Sequence, residues 1–150
     1  MNATNSRELL TFYLGEALCG LDIARVEELN RPLEMTPVPQ APPYVLGLVN
    51  LRGKIITVLD LGRKIGLEPA ARSDDTRIIF VQTVAENLGL MVDRVTEVAE
   101  VDQSLVSAPP ANLKGASSRF FEGVLRTDHG LIGILQLSEV LKVESREASA

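Results

Sequence analysis

Short apolar segments, each long enough for one β-strand, follow one another along this sequence and restrict the folds it can adopt. They are rich in β-branched or large apolar residues, which favour strands. The eight segments are LLTFYL, ALCGLDI, LGLVNL, KIITVLDL, TRIIFVQT, LGLMV, FEGVLRT and LIGILQL. Turn-type residues separate several of them, namely Gly15-Glu16, Arg52-Gly53, Glu86-Asn87 and Asp128-His129-Gly130. Strands this short, joined by tight turns, predict small β-barrels.

Helical signals are weaker and confined to short pieces. Residues 61–67 and 138–143 can each form one or two helical turns, with Ser138 as the N-cap of the second piece. Two longer stretches are predicted to be loops. One is 31–43, which holds five prolines, and the other is 102–118, which is rich in small polar residues.

Composition excludes several classes of protein. The chain has 150 residues and a net charge of −5, so a uniform nucleic-acid surface is not expected. No apolar stretch approaches the roughly 20 residues of a membrane span, and the polar N-terminus lacks the apolar region of a signal peptide. Cys19 is the only cysteine, which excludes an internal disulfide. We therefore expect a cytoplasmic protein without direct membrane insertion.

The two halves of the chain look like an internal repeat. CGLDIARVEEL at 19–29 matches LGLMVDRVTEV at 88–98 in register, and LLTFYL loosely resembles IIFVQT. GLVNLRGKIITVLDLGRKI at 47–65 matches GVLRTDHGLIGILQLSEVL at 123–141 without a gap. The order of predicted elements is the same in both halves, so we interpret the sequence as a duplication. A polar stretch at 66–75 is the expected joint between the halves.

The two copies differ at one hairpin tip. The second copy has Asp128-His129-Gly130, which is ordinary turn chemistry, whereas the first has Arg52-Gly53 after Asn50-Leu51. Gly53 is expected to serve as a structural turn residue because glycine accepts a positive φ. Arg52 can project its guanidinium outward, either as a solvated turn residue or as a recognition group. Local sequence leaves both interpretations open.

The sequence contains no recognisable catalytic constellation. His129 is the only histidine and falls on a predicted turn, and Cys19 falls in an apolar strand. Asp60 precedes a predicted short helix and is interpreted as its N-cap, while Asp74-Asp75 is interpreted as solvated turn charge. We therefore expect a protein that is not an enzyme and has no catalytic residues, no cofactor and no metal site.

Longer motifs resemble one family. GLVNLRGKIITVLDL resembles the signature of CheW-like domains, the coupling proteins of bacterial chemotaxis arrays. The upstream segment LLTFYLGEALCGLDIARVEEL is similar to the opening of that family, and LGLMVDRVTEV to its second-half counterpart. The similarity covers about residues 8–143. One departure is Thr57, where the family often has proline; threonine suits a strand, so the fold expectation is unchanged.

The resemblance implies a mainly β fold of two small five-stranded SH3-like β-barrels packed together, with short helices. The whole chain, 1–150, would be a single CheW-like domain. Its approximate subdomains would be 15–74 for the first barrel, 8–14 plus 75–137 for the second barrel, and 138–143 for a C-terminal helix.

The function implied by the resemblance is a non-enzymatic adaptor. CheW-like domains join the cytoplasmic tip of a chemoreceptor to the regulatory domain of a CheA-like histidine kinase in a two-component system. The chain would then be associated with membrane receptor arrays through its partners. The family also forms rings of CheW-like domains, and the sequence leaves open whether this chain does so.

The resemblance also implies site residues by matching motif positions. The kinase-binding residues would be Val26, Glu28 and Gly47. The receptor-binding residues would be Asn50, Leu51, Arg52 and Val98. Ordinary roles stay open for several of these positions, since Val26 and Val98 also suit a core and Glu28 also suits a solvated strand.

Two alternative functions remain. CheW-like scaffolds also serve chemosensory pathways that control pili, biofilm or second-messenger output, and the sequence does not choose among these pathways. The more remote alternative is a small hydrolase or ligand-binding barrel that uses Asp60, His129 or the groove between the barrels.

Overall fold

The computed structural model describes residues 5–69, 72–83 and 87–142. Within these ranges the chain is built almost entirely of short strands. The twelve strands are β1 Ser6–Leu14, β2 Ala17–Asp22, β3 Val26–Asn30, β4 Val45–Leu51, β5 Lys54–Asp60, β6 Arg77–Gln82, β7 Asn87–Val92, β8 Arg94–Asp102, β9 Asn112–Leu113, β10 Ala116–Ser117, β11 Phe121–Thr127 and β12 Gly130–Leu135. The α-helices are α1 Leu61–Lys64 and α2 Leu137–Val140, and short 3-10 turns occupy Ile23–Arg25, Gln103–Leu105 and Ser118–Phe120.

Ten of the strands form two five-stranded sheets. One sheet has the order β3-β6-β7-β5-β4, and we call it the first barrel. The other has the order β11-β12-β2-β1-β8, and we call it the second barrel. An isolated bridge from the loop after β3 to β4, Thr36 to Leu48, helps to close the first barrel, and Ser107 to Val124 does the same in the second. The predicted mainly β fold of two small barrels is confirmed.

The barrels divide the chain differently from the approximate subdomain limits expected from the sequence. Those limits grouped β2 with the first barrel and β6 and β7 with the second. In the structure β2 pairs with β1 through the tight turn at residues 15–16, so it belongs to the second barrel. β6 and β7 pair with each other and with β3 and β5, so they belong to the first barrel. The polar stretch at 66–75 therefore connects two parts of one barrel.

Each barrel combines the last three sheet strands of one repeat with the first hairpin of the other repeat. After the β1–β2 hairpin the chain crosses over, and β3 pairs with β6 of the other barrel. After the β6–β7 hairpin it crosses back, and β8 pairs with β1. The register of the parallel pairs agrees with the repeat: Ile134 faces Gly20 in the second barrel, and Val58 faces Gly89 in the first. Gly20 aligns with Gly89, and Val58 with Ile134, in the matched segments of the sequence. The internal repeat is thus a structural repeat as well.

The largest hydrophobic cluster is shared by the two barrels. Leu10 and Phe12 of β1 and Ile79 and Leu90 of the first barrel all belong to it. Smaller clusters fill each barrel separately, around Leu9 and Ile132 in the second and around Ile78 and Phe80 in the first. Alternate residues of one strand serve different clusters because successive side chains of a strand point to opposite faces. The shared cluster holds the barrels together.

One short helix follows each of the two equivalent hairpins, α1 after β4–β5 and α2 after β11–β12. Asp60 is the N-cap of α1, as predicted, because its Oδ1 accepts a hydrogen bond from the backbone N–H of Arg63 at 3.2 Å. The prediction for α2 was wrong in detail: this helix begins at Leu137 after Gln136, and Ser138 lies inside it. Residue 143, the expected end of the C-terminal helix, lies outside the described residues.

Candidate protein-interaction site

The turn between β4 and β5 has the backbone that the sequence predicts for Gly53. Arg52 and Gly53 both have positive φ, 52° and 87°. The side chain of Asn50 accepts a hydrogen bond from the Gly53 N–H at 2.9 Å, which fixes the turn. Glycine adopts this conformation without strain, whereas a non-glycine residue does so at a cost of about 1–3 kcal/mol. The fold therefore holds Arg52 in an unfavourable backbone conformation at an exposed tip.

Arg52 is paired with Glu28 of β3. Its Nη1 donates to Oε1 of that carboxylate. The other carboxylate oxygen of Glu28 accepts a hydrogen bond from Asn30 Nδ2 at 2.9 Å. The Arg52 side chain is 76% exposed and the Glu28 side chain only 16% exposed. The carboxylate is thus a largely covered anchor, and most of the guanidinium faces solvent.

This ion pair brings together residues from the two expected partner sites. Glu28 belongs to the residues expected to bind the kinase, and Arg52 to those expected to bind the receptor. Leu51, beside Arg52, packs against the small core of the first barrel and is only partly exposed. Asn50, Leu51 and Arg52 therefore form one continuous tip. Because Arg52 is paired with Glu28, a movement of this tip would also act on β3.

Val26 and Val98 occupy different environments. Val26 is partly buried against the shared core. Val98 lies on β8 of the second barrel, opposite Leu10 of β1, and is 49% exposed. Val98 therefore belongs to a different barrel from the Arg52 tip.

Gly47 has a backbone role in the fold. It lies at a β-bulge of β4 with a φ of 152°, and a Cβ atom there would lie 2.7 Å from the backbone oxygen of Thr36. This close approach lets Thr36 and Leu48 form two backbone hydrogen bonds of 2.9 and 2.8 Å. Gly123 is its repeat equivalent and lies at the corresponding bulge of β11. Gly47 thus shapes the surface expected to bind the kinase without contributing a side chain to it.

Gly47→Ala is expected to lower the free energy of unfolding by about 1–3 kcal/mol, because the added methyl group meets a backbone atom at a position with positive φ. Gly53→Ala is the matched control, since it also has positive φ but nothing lies within 4 Å of its Cβ position. Its expected loss is about 1 kcal/mol. Urea unfolding of both variants measures the difference. A Gly47→Ala protein as stable as wild type would contradict this backbone role.

Two exposed apolar residues near the site were missed by the sequence interpretation. Leu29 of β3 is 42% exposed, and Ile55, just after the β4–β5 turn, is 65% exposed. The repeat contained a signal for Leu29, because it aligns with Val98 at the end of the matched segments. Ile55 likewise aligns with Leu131, which is 36% exposed. Equivalent positions of the two barrels thus expose equivalent apolar side chains.

The residues considered for catalysis have ordinary structural environments. Asp60 caps α1. His129 lies in the turn between β11 and β12 and is exposed. Cys19 is fully buried, and burial raises the pKa of its thiol to about 12. No group of three or more His, Cys, Asp or Glu side chains suited to a metal ion occurs within the described ranges.

Cys19 is expected to resist a thiol-specific disulfide reagent at pH 8 in the folded protein. Burial excludes the reagent, and the raised pKa keeps the thiol protonated, whereas the thiolate is the reactive form. In urea above the unfolding midpoint, one thiol per chain should react within minutes. The test is the rate of absorbance change with and without urea. Rapid stoichiometric reaction of the folded chain would show that β2 is not packed as described.

Two barrels around a shared core, with a paired arginine presented at one hairpin tip, define a two-barrel β protein. The sequence model described as CheW-like domain matches residues 8–145. The chain belongs to the CheW-like family, whose members are scaffold adaptors of bacterial chemotaxis.

Individual relatives agree with the family match. The chain is 32% identical over 143 residues to chemotaxis protein CheW of Rhizobium meliloti, which covers 95% of this chain and 92% of that protein. It is 32% identical over 137 residues to chemotaxis protein CheW of Treponema pallidum, which covers 89% and 81% of the two chains. The crystal structure of the scaffolding protein TtCheW from Thermoanaerobacter tengcongensis superposes with a TM-score of 0.84 at 36% identity, covering 92% of this chain and 89% of that one. Within the described residues, no helix is long and apolar enough to cross a membrane.

Proposed function

We infer that this chain is a non-enzymatic adaptor that couples chemoreceptor tips to a CheA-type histidine kinase in the cytoplasm. The observation that carries this proposal is the Arg52–Glu28 ion pair. It joins an arginine that we propose faces the receptor to a strand that we propose faces the kinase, within a fold that matches a CheW scaffold over most of both chains. An adaptor needs two surfaces on one rigid body, and the shared core of the two barrels supports that rigidity.

The receptor-binding part of the proposal rests on the Asn50-Leu51-Arg52 tip. A receptor tip is a helical hairpin, so its helix ends present backbone carbonyl groups as acceptors, and acidic side chains on its helices would add carboxylates. The Arg52 side chain is 76% exposed, so it retains N–H donors that can reach such acceptors while it stays anchored on Glu28. Val98, which is half exposed on the second barrel, would supply an apolar contact.

The kinase-binding part rests on β3 and the β4 bulge. Among the described strands, β3 is an edge strand that pairs with β6 alone, so one backbone edge faces outward. Leu29 adds an exposed apolar side chain to this edge, between Glu28 and Asn30. Barrel-to-barrel docking on such a surface would bury aliphatic groups and leave polar contacts at its rim.

The test is binding of the purified chain to a receptor cytoplasmic fragment and to the kinase regulatory domain from the same source. Wild type is expected to bind both partners and to form a ternary complex. Val26→Glu should weaken kinase binding more than receptor binding. A folded wild-type chain that binds neither partner would overturn the proposal.

A further inference from the structure

The second barrel contains an open cavity that the proposed adaptor role does not use. Its volume is about 480 Å³, within the size range of ordinary ligand pockets. Leu18, Val101 and Ile132 contribute apolar walls. Glu97, Glu100 and Asp128 line the same cavity with carboxylates. An apolar interior with an acidic rim suits a ligand that has an apolar body and a cationic end.

The repeat shows why the second barrel has room for this cavity. Thr11 of β1 lines the cavity, and its equivalent in the first barrel is Phe80, since these are the third residues of LLTFYL and IIFVQT. Phe80 is fully buried and packs in the small core of the first barrel. Thr11 is smaller, and its hydroxyl is already bonded to Thr96 Oγ1 and to the backbone oxygen of Glu97 at 2.9 Å. The second barrel therefore lacks the ring that fills the first.

The two barrels carry different charges at equivalent positions of the repeat. In the first barrel, Glu28 on the edge strand is neutralised by Arg52 on the hairpin turn. The aligned residues of the second barrel are Glu97 for Glu28 and Asp128 for Arg52. Both line the cavity, so a second carboxylate stands where the first barrel has a guanidinium. In the part of the chain that the structure describes, neither carboxylate takes part in an ion pair.

The cavity has one guanidinium of its own, which lies over an aromatic ring of the same cavity. Arg94 lies over the ring of Tyr13, with its Cζ 4.7 Å from the ring centroid. Of the carboxylates, Glu100 accepts a hydrogen bond from Ser6. His129 also lines the cavity, beside Asp128. Three carboxylates against one guanidinium leave the rim with an excess of negative charge.

We propose that this cavity binds an arginine side chain presented by a protein partner. The guanidinium would lie between Glu97 and Asp128, and would pair with Glu97 as Arg52 pairs with Glu28 in the first barrel. Its alkyl stem would pack on Leu18 and Ile132, since arginine buries its methylene groups on apolar surface while its charged end stays near water. A planar guanidinium suits two flanking carboxylates better than a compact ammonium does. This proposal is independent of the proposed function, because the cavity is lined by none of the residues expected to bind the receptor or the kinase.

The test uses N-acetyl-arginine methylamide as the probe, followed by amide chemical shifts of the isotopically labelled full chain. The expected dissociation constant is about 1–10 mM, as for a single exposed side chain. Shifts should centre on Glu97, Asp128 and their neighbours. The citrulline analogue, which has the same shape without the charge, should bind at least about fivefold more weakly.

Variants of the cavity carboxylates test where the probe binds. Glu97→Gln and Asp128→Asn should each weaken probe binding about threefold to fivefold. Asp75→Asn is the matched control, because it removes an exposed turn carboxylate outside the cavity and should leave binding unchanged. Asp128→Arg should supply the missing cation internally and abolish probe binding, and adding Glu97→Gln should remove any stability that Asp128→Arg gains.

Four results would overturn the proposal. Wild type could fail to bind the probe at 50 mM, about fivefold above the upper end of the expected range. The citrulline analogue could bind equally well. Glu97→Gln and Asp128→Asn could both bind like wild type. Free L-arginine could bind more tightly than the capped probe, which would assign the cavity to a small molecule rather than to a protein side chain.

Discussion

Phe80→Ala is expected to lower the free energy of unfolding by about 3–5 kcal/mol. Phe80 is fully buried in the core of the first barrel, so its removal leaves a cavity and loses apolar burial. Urea unfolding followed by far-UV circular dichroism gives the value. Thr11→Ala is the matched control at the equivalent position of the second barrel. It should cost about 1–2 kcal/mol, because one methyl group and the hydrogen bonds of the hydroxyl are lost but no ring is removed.

A loss of less than about 1 kcal/mol for Phe80→Ala would contradict the packing described for the first barrel. Equal losses at the two positions would contradict the asymmetry on which the cavity depends. The Phe80→Ala protein should still unfold in one cooperative transition, because the largest core cluster belongs to both barrels.

Arg52→Glu is expected to weaken receptor binding about tenfold or more, which corresponds to about 1.4 kcal/mol. The substitution removes the outward guanidinium and places a carboxylate against Glu28. The free energy of unfolding should fall by only about 1 kcal/mol, since the arginine end of the ion pair is exposed and solvent screens the interaction. Titration against a labelled receptor fragment measures the affinity. Lys54→Glu is the control, because it reverses an exposed charge in the same hairpin.

The exchanged pair Glu28→Arg with Arg52→Glu separates recognition from stability. The double variant should regain stability, because the ion pair forms again with its ends reversed. Its receptor binding should stay weak, because the exposed end of the pair is then a carboxylate. Full recovery of binding would mean that the pair matters only for the shape of the turn, and Arg52 would then be a structural residue.

Local features of the fold were predictable because they depend on local chemistry. Gly53 indicated the turn with positive φ, and Asp60 indicated the helix cap. The proline-rich stretch at 31–43 contains no strand of the two sheets, as expected. The repeat was also visible, since the matched segments carry similar residues in a constant register.

Strand partnership was not predictable from the same signals. The segment CGLDIARVEEL contains most of β2 and β3, which are close enough in sequence to suggest one hairpin. In the structure, β2 and β3 lie in different barrels. Alternating burial specifies which face of a strand is covered but not which strand lies beside it. The Arg52–Glu28 pair was hidden for the same reason, because the two residues lie in separate segments that only the closed barrel brings together.

The exchanged strands suggest how such a chain could have arisen. In a half-length ancestor with one repeat, the first hairpin would not have joined the sheet formed by the other three strands. Two copies that exchanged their first hairpins would have built the same two barrels as a symmetric dimer. Joining the copies end to end would then have freed one member of each formerly identical pair to diverge. Arg52 and Asp128, which now carry opposite charges at equivalent turns, are the outcome expected of that divergence.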